Sequence, residues 1–247
     1  MSGKPLGRSL AVLLAVVAAI AIPAIQMTQH IGLSAAEFAG QGDQTLRVAG
    51  YAFSIWGLIY FGLAAYALYQ LTYARETPTL RAVAWPSGVA IAGCGAWILA
   101  SAFNQQWLSV AIIVISAATM VAGLSRARAD APAPAFRDKL LIVWPLSLLA
   151  GWLTIASAVN ILTVLTAQGI IGSDPTWAVI GIAAVLLVGG FVGWTLRSRF
   201  YLAPIIWGLM GVYVAEQTGK PTAAWLAAGA ALLLALEAAA TLRKGRG

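Results

Sequence analysis

Charge is scarce in this sequence: of 247 residues only 9% are charged, 15 of them Lys or Arg and 8 Asp or Glu. One histidine, His30, and one cysteine, Cys94, leave no Cys/His spacing for a metal and no intrachain disulfide. A glycine-rich phosphate loop and a nucleophile elbow are missing too. Metal and triad chemistry thus have no residues to stand on, and the reading is of a protein that is not an enzyme. His30 is expected as a hydrated interfacial side chain, and Cys94, inside an apolar stretch, as a small buried hydrophobe.

What the chain has in abundance is apolar surface, 61% of its residues with a mean hydropathy of +0.86. A domain of this size cannot hide that much from water, so its solvent is lipid. A spanning helix needs about 20 mainly apolar residues, at ~1.5 Å rise each across ~30 Å of hydrocarbon. Eight segments meet this: 9–28, 49–72, 84–103, 107–125, 140–167, 176–196, 201–217 and 221–242. The fold class is therefore all-α, a polytopic transmembrane helical bundle. Lys4 to Arg8 ahead of Leu10–Ile22 has the form of a signal peptide. Because the apolar stretch continues past Pro23 to Met27, a first transmembrane helix accounts for the same residues.

Pro86 and Pro145, each preceded by a Trp, are expected just inside the starts of the third and fifth spans, where a missing N–H costs little. Asp174-Pro175 opens the sixth span, and Gly219-Lys220-Pro221 parts the last two. Of the 15 Lys and Arg, only Arg47 and Lys220 fall in one set of alternating loops. The other 13 cluster at Lys4/Arg8, Arg75/Arg81, Arg126/Arg128, Arg137/Lys139, Arg197/Arg199 and Arg243/Lys244/Arg246. By the positive-inside rule this places both termini in the cytoplasm of a cell whose inner membrane holds the chain. The net charge of +7 is then a topology signal and gives no support to a nucleic-acid partner. Ser125–Lys139, with Pro132 and Pro134, is expected as the longest cytoplasmic loop, a flexible connection between two sets of four helices.

Ionisable groups are nearly absent at mid-membrane, which disfavours ion-driven transport. Glu237 is the main exception and is expected to snorkel toward Arg243, whereas Glu216 is expected to be solvated at an external helix end. The spans are instead rich in tryptophan, ten in all. Trp85, Trp144, Trp177 and Trp225 stand where interface belts form; Trp56, Trp97, Trp152 and Trp207 lie deeper, where an indole N–H needs a partner or a ligand.

On the second span Phe53, Trp56 and Tyr60 share one face at i, i+3, i+7, and on the fifth Trp152, Ala156 and Asn160 do so at i, i+4, i+8. An uncharged external hairpin, Asn104-Gln105-Gln106-Trp107, joins the third and fourth. The topology places Trp56 and Asn160 each about seven residues, or ~10 Å, below the same surface. Aromatic faces with two or three amides in one leaflet suit a flat, lipophilic ligand with polar edges; plain helix packing would use the same residues.

Phe53-Ser54-Ile55-Trp56-Gly57-Leu58-Ile59-Tyr60, Asn104-Gln105-Gln106-Trp107 and Trp152 to Asn160 resemble, in order and spacing, the W-x3-Y, N-x2-W and W-x7-N patterns of the translocator protein/tryptophan-rich sensory protein (TspO/MBR) family. The resemblance covers about the first 167 residues. It implies a five-helix core that binds porphyrins or other lipophiles, with Phe53, Trp56, Tyr60, Asn104, Trp107, Trp152 and Asn160 at pocket-lining or helix-packing positions. Arg47-Val48-Ala49-Gly50-Tyr51 replaces the family's proline-rich approach to the second helix, and Pro145 lies further from Trp152 than the family's proline does.

The expected division is a TspO-like core, 1–167, and an added three-helix segment, 168–247. In the latter, Ile206-Trp207-Gly208-Leu209 echoes Ile55-Trp56-Gly57-Leu58, four residues that shared packing explains. Gly189 and Gly193 form a small-residue face for a neighbouring helix in the chain or in a homodimer. The resulting expectation is a binding protein for a tetrapyrrole-like or sterol-like ligand, with a bound tetrapyrrole or lipid as its only implied cofactor. The alternatives are a subunit of a larger membrane complex and a secondary transporter.

Overall fold

The computed structural model describes residues 4–72, 77–131 and 133–244, and all regular structure among them is helical. Arg75, Pro132 and Arg246 fall outside the described residues, as do the side chains of Lys4, Arg243 and Lys244. Along the chain come α1 (Lys4–Thr28), a short α2 (Ala35–Gly40), a 3₁₀ turn (Gly50–Ser54) leading into α3 (Ile55–Thr72), α4 (Pro78–Ala102) and α5 (Gln106–Asp130). Next, α6 (Phe136–Asp138) passes through a π-helical turn (Lys139–Val143) into α7 (Trp144–Ala167), followed by α8 (Pro175–Leu196), α9 (Arg199–Glu216) and α10 (Pro221–Lys244).

Seven of these helical segments are long and apolar enough to cross a membrane. The one expected span that falls short is α9, 18 residues with a charged residue at each end. It still runs from face to face. At its start Phe200 stacks on Trp144 at 4.3 Å, while at its end Glu216 meets Arg47. On the first of these faces Arg128 donates to Leu196 O and Tyr69 donates to Asp138. On the second, Thr45 bonds Thr166 and Lys220 donates to Asp43 O. The start of α1 and the end of α10 lie on the first, arginine-rich face, since Ser9 donates to Gln70 O and Thr241 shares a cavity with Arg199.

One boundary differs from expectation because proline is tolerated within a helix whose neighbours compensate. Helix α4 begins at Pro78, capped by Thr77, so that Pro86 is interior. The ring of Pro86 fits because α5 has glycine opposite it: a Cβ on Gly123 would stand 2.6 Å from Pro86 Cβ. Pro145, by contrast, stands in the first turn of α7, as expected. It follows the π-helical turn, in which Trp144 N–H reaches back to Lys139 O, and the helical path extends to Phe136. With α5 running on to Asp130, the expected long loop of 125–139 shrinks to residues 131–135.

Between helices in lipid there is little hydrophobic drive, so close approach and hydrogen bonds hold the bundle. Gly151 on α7 is the tightest case: a Cβ there would lie 1.9 Å from the backbone oxygen of Tyr201 on α9. The buried hydroxyls of Tyr66 and Ser87 pair at 2.6 Å across α3 and α4. The last three helices close onto the rest of the chain. Ala49 N–H donates to Gly211 O at 3.0 Å, and Trp207 Nε1 donates to Ala52 O at 2.9 Å.

Gly189 and Gly193 find their neighbours within the chain, against Ile205 and Leu202. Glu237 turns toward the same face of α8, where a Cβ on Gly193 would come within 2.8 Å of its Oε1. Glu216 departs from expectation. It is fully buried, not solvated, because three donors surround it: Arg47 N at 2.6 Å, Arg47 Nη2 at 3.4 Å and Lys220 Nζ at 3.3 Å. Thus the two cations of the arginine-poor face are both used to neutralise one carboxylate.

Candidate functional site

Beneath the arginine-poor face lies a cavity of about 430 Å³, within the range of small-molecule sites. Its walls come from α1, α2, α3, α4, α5 and α7, with Gly208 of α9 at the base. The indole of Trp56 stacks on Tyr60 at 5.0 Å, one turn further along α3. Trp152 of α7 meets both Trp56 and Phe53 edge-on, at 6.3 Å and 6.2 Å. The four rings form one continuous aromatic wall, because the i, i+3, i+7 face of α3 looks directly at α7.

Polar groups in the cavity are few and mostly engaged. Asn160 Oδ1 accepts from Trp97 Nε1 at 3.2 Å, and its Nδ2 donates to Ser109 Oγ at 3.0 Å. One amide thereby ties α7 to both α4 and α5, and it is only 4% exposed. Trp97 and Trp207 satisfy their indole N–H groups on the protein, whereas Trp56 and Trp152 make ring contacts. Among the described residues no carboxylate and no histidine lines the cavity. His30 lies outside it, exposed at the end of α1, and Cys94 lines it as a buried thiol donating to Ala90 O.

A lid covers the outer end. Gly32, at φ +63°, turns the chain where a Cβ would collide with Ala102 O at 2.2 Å, and Leu33 N–H donates to that same oxygen. Helix α2 then begins with a capping box: Ser34 Oγ accepts from Glu37 N, and Glu37 Oε2 accepts from Ser34 N at 2.7 Å. It drops the buried Phe38 against Trp97, edge-on at 6.0 Å. Gln26 Nε2, donating to Ile31 O and Leu33 O, holds the connection from α1.

These features decide the identity together with one comparison: the family model described as TSPO-like protein matches residues 9–240. The chain belongs to the TSPO-like protein family. The match runs through α8, α9 and nearly all of α10 as well as the first five spans. No curated protein and no solved structure shows significant similarity to this TSPO-like protein. Family membership supports a membrane protein that binds a ligand.

Of the seven residues singled out from the sequence of this TSPO-like protein, Phe53, Trp56, Tyr60, Trp152 and Asn160 line the cavity. Asn104 and Trp107 do not. Asn104 takes a left-handed turn at φ 53°, which sends its amide outward to accept from Gln41 Nε2 at 3.1 Å. There it joins a chain of amides, Gln41, Gln106 and Gln168, that clasps the lid loop to α5 and α7. Trp107, at the start of α5, is 52% exposed on the outer surface of the bundle. Lining residues that sequence reasoning did not assign to the site include Gln26, Phe38 and Trp97. Phe38 was legible only through its capping box, whose Ser34-x-x-Glu37 pattern marks a helix start just before a buried aromatic residue.

The cap gives the lid a pH dependence. The Ser34 backbone N–H, and to a lesser degree its hydroxyl, hold the Glu37 carboxyl below the ordinary carboxylate value. A depressed carboxylate contributes fully above its unfolded value and loses that contribution as pH falls through its folded value. The amide-proton shift of Ser34 is accordingly expected to titrate with a midpoint below that of an unperturbed Glu. A midpoint at or above that reference would show that the capping bond does not form in solution.

Proposed function

We propose that this protein is a non-catalytic binding protein that holds a planar, lipophilic ligand of the tetrapyrrole class in the cavity between α1, α3, α4, α5 and α7. The single observation that carries this is the aromatic wall of Phe53, Trp56, Tyr60 and Trp152 around an apolar void of about 430 Å³. Offset and edge-on aromatic contacts favour a conjugated ring over an aliphatic sterol of similar size. The lack of an acid–base pair in the lining favours binding over turnover. In this reading residues 1–167 furnish the lid and, apart from Gly208, the pocket, while α8 to α10 buttress α7 and the approach to α3.

The 13 to 2 asymmetry of Lys and Arg in the sequence supports a cytoplasmic membrane in which the arginine-rich face is inward and the lid faces outward. Sensing, chaperoning or carrying a lipophile are all consistent with such a lid.

The test is titration of the detergent-purified full chain with a free-base porphyrin, read by quenching of tryptophan emission and a shift of the porphyrin absorption band. Saturable quenching at one ligand per chain is expected. A response identical to that of empty micelles would overturn the proposal.

A further inference from the structure

A second cavity, unconnected with the lid site, lies at the arginine-rich face and has about 640 Å³ of space. Arg128, Lys139, Arg197 and Arg199 line it together, and among the described residues no Asp or Glu does. Among the described residues none of the four is in a salt bridge: the two ion pairs present are Arg47 and Lys220 with Glu216, on the opposite face. Arg128 donates to Leu196 O, the carbonyl end of α8, and Arg197 is held in a left-handed turn at φ 47°. Trp144 and Phe200 stack beside them, with the Arg199 guanidinium 5.2 Å from the Phe200 ring. Four cations gathered with no carboxylate among the described lining residues repel one another, and an anion seated among them would relieve this.

The cavity is not isolated. On α5 its lining residues Leu124, Ala127 and Arg128 continue, at helical spacing, a stripe of Val114, Ala117, Ala118 and Val121. On α8 Leu196 and Arg197 extend a stripe that contains Val185, Val188 and Val192. Between these stripes runs an apolar groove of about 490 Å³, floored by α7 and open on one side to the membrane. An apolar groove that ends in unpaired cations at headgroup depth matches one kind of molecule.

We infer that the α5/α8 groove and the basic cavity together form a site for an anionic phospholipid of the arginine-rich leaflet, its phosphate among Arg128, Lys139, Arg197 and Arg199 and an acyl chain along α5 and α8. Basic recesses between transmembrane helices suit anionic headgroups in this way. A leaflet is about half of the ~30 Å hydrocarbon thickness, so the chain would reach ten residues along α5, from Arg128 to about Ala118. Charge selects the headgroup and the groove orders the tail, so binding should need both.

Native mass spectrometry of the full chain with added phosphatidylglycerol, phosphatidylcholine or inorganic phosphate tests this. Retention of phosphatidylglycerol over phosphatidylcholine is expected. The double variant Lys139→Gln/Arg199→Gln removes two cations that hold no backbone group, and is expected to weaken retention about thirtyfold. Ala118→Phe, an exposed position in the groove, should lower retention with no change of charge.

Equal binding of inorganic phosphate, or retention that survives Ala118→Phe, would overturn the site. So would a dimer that Ala118→Phe converts to monomer, since a second copy would then occupy the groove. Porphyrin quenching by the same variants is expected to be unchanged, which separates failure here from failure of the lid-site proposal.

Discussion

Replacing Trp152 by alanine is expected to weaken binding of a free-base porphyrin by about thirtyfold to a hundredfold, while Trp107→Ala leaves it unchanged. Trp152 is 5% exposed and its ring touches both Phe53 and Trp56. Each such edge-on contact contributes about 0.5–1.5 kcal/mol beyond area, and a buried aromatic anchor at a binding site typically contributes 2 kcal/mol or more. A loss of 2–3 kcal/mol is about thirtyfold to a hundredfold in affinity. Truncating a buried Trp also costs about 3–5 kcal/mol of stability, so helicity by circular dichroism must accompany the titration. Trp152→Leu, which keeps much of the volume, serves if the alanine variant does not fold. A folded Trp152 variant of full affinity would remove the aromatic wall from the site.

The second large effect is expected at Glu216. Removing one partner of a buried ion pair typically costs about 3–5 kcal/mol. Here the carboxylate is fully buried but its cations are not, with Arg47 at 39% and Lys220 at 18% side-chain exposure. Water can reach them once the carboxylate is gone, which lowers the expected cost of Glu216→Ala to about 2–3 kcal/mol. Arg47→Ala should cost less, because the Arg47 backbone N–H and Lys220 would still satisfy Glu216. Thermal unfolding in detergent checks the order. An Arg47→Ala variant less stable than Glu216→Ala would show that the guanidinium, not the carboxylate, organises this corner.

The cluster also bears on the lid site. Lys220 reaches Asp43 O, just beyond α2, and Arg47 precedes the 3₁₀ turn that delivers Phe53 and Trp56 to the cavity. Loss of Glu216 should therefore loosen the end of α9 and the approach to α3 together. Amide exchange over residues 43–52 in the Glu216→Ala variant is expected to quicken along with that of 211–216.

Much of the architecture could be read from one dimension. Lipid demands about 20 apolar residues per crossing, and the alternation of Lys and Arg between loops gathers most of the cations on one face. Since α3 and α7 each place their aromatic residues at helical spacing, the faces of Phe53, Trp56 and Tyr60 and of Trp152 and Asn160 followed from periodicity. Pro86 misled for a local reason, whereas Pro145 does stand in the first turn of its helix. Whether Pro86 begins a helix or sits within one depends on Gly123 across the interface, and no property of the residues around Pro86 reports that.

By itself, the sequence determined the class of molecule, its number of long apolar helices to within one, the face on which its cations gather and the two aromatic stripes. Those are properties of single segments, set by hydrophobicity, period and charge. Only the tertiary structure decided that Asn160 is spent on Trp97 and Ser109, that Asn104 looks away from the cavity, that Glu216 is buried between two cations, and that α2 forms a lid. Each of these depends on contacts between residues far apart in the chain, and where water is excluded, as around Asn160 and Glu216, a polar group takes the nearest donor or acceptor, however distant in the sequence.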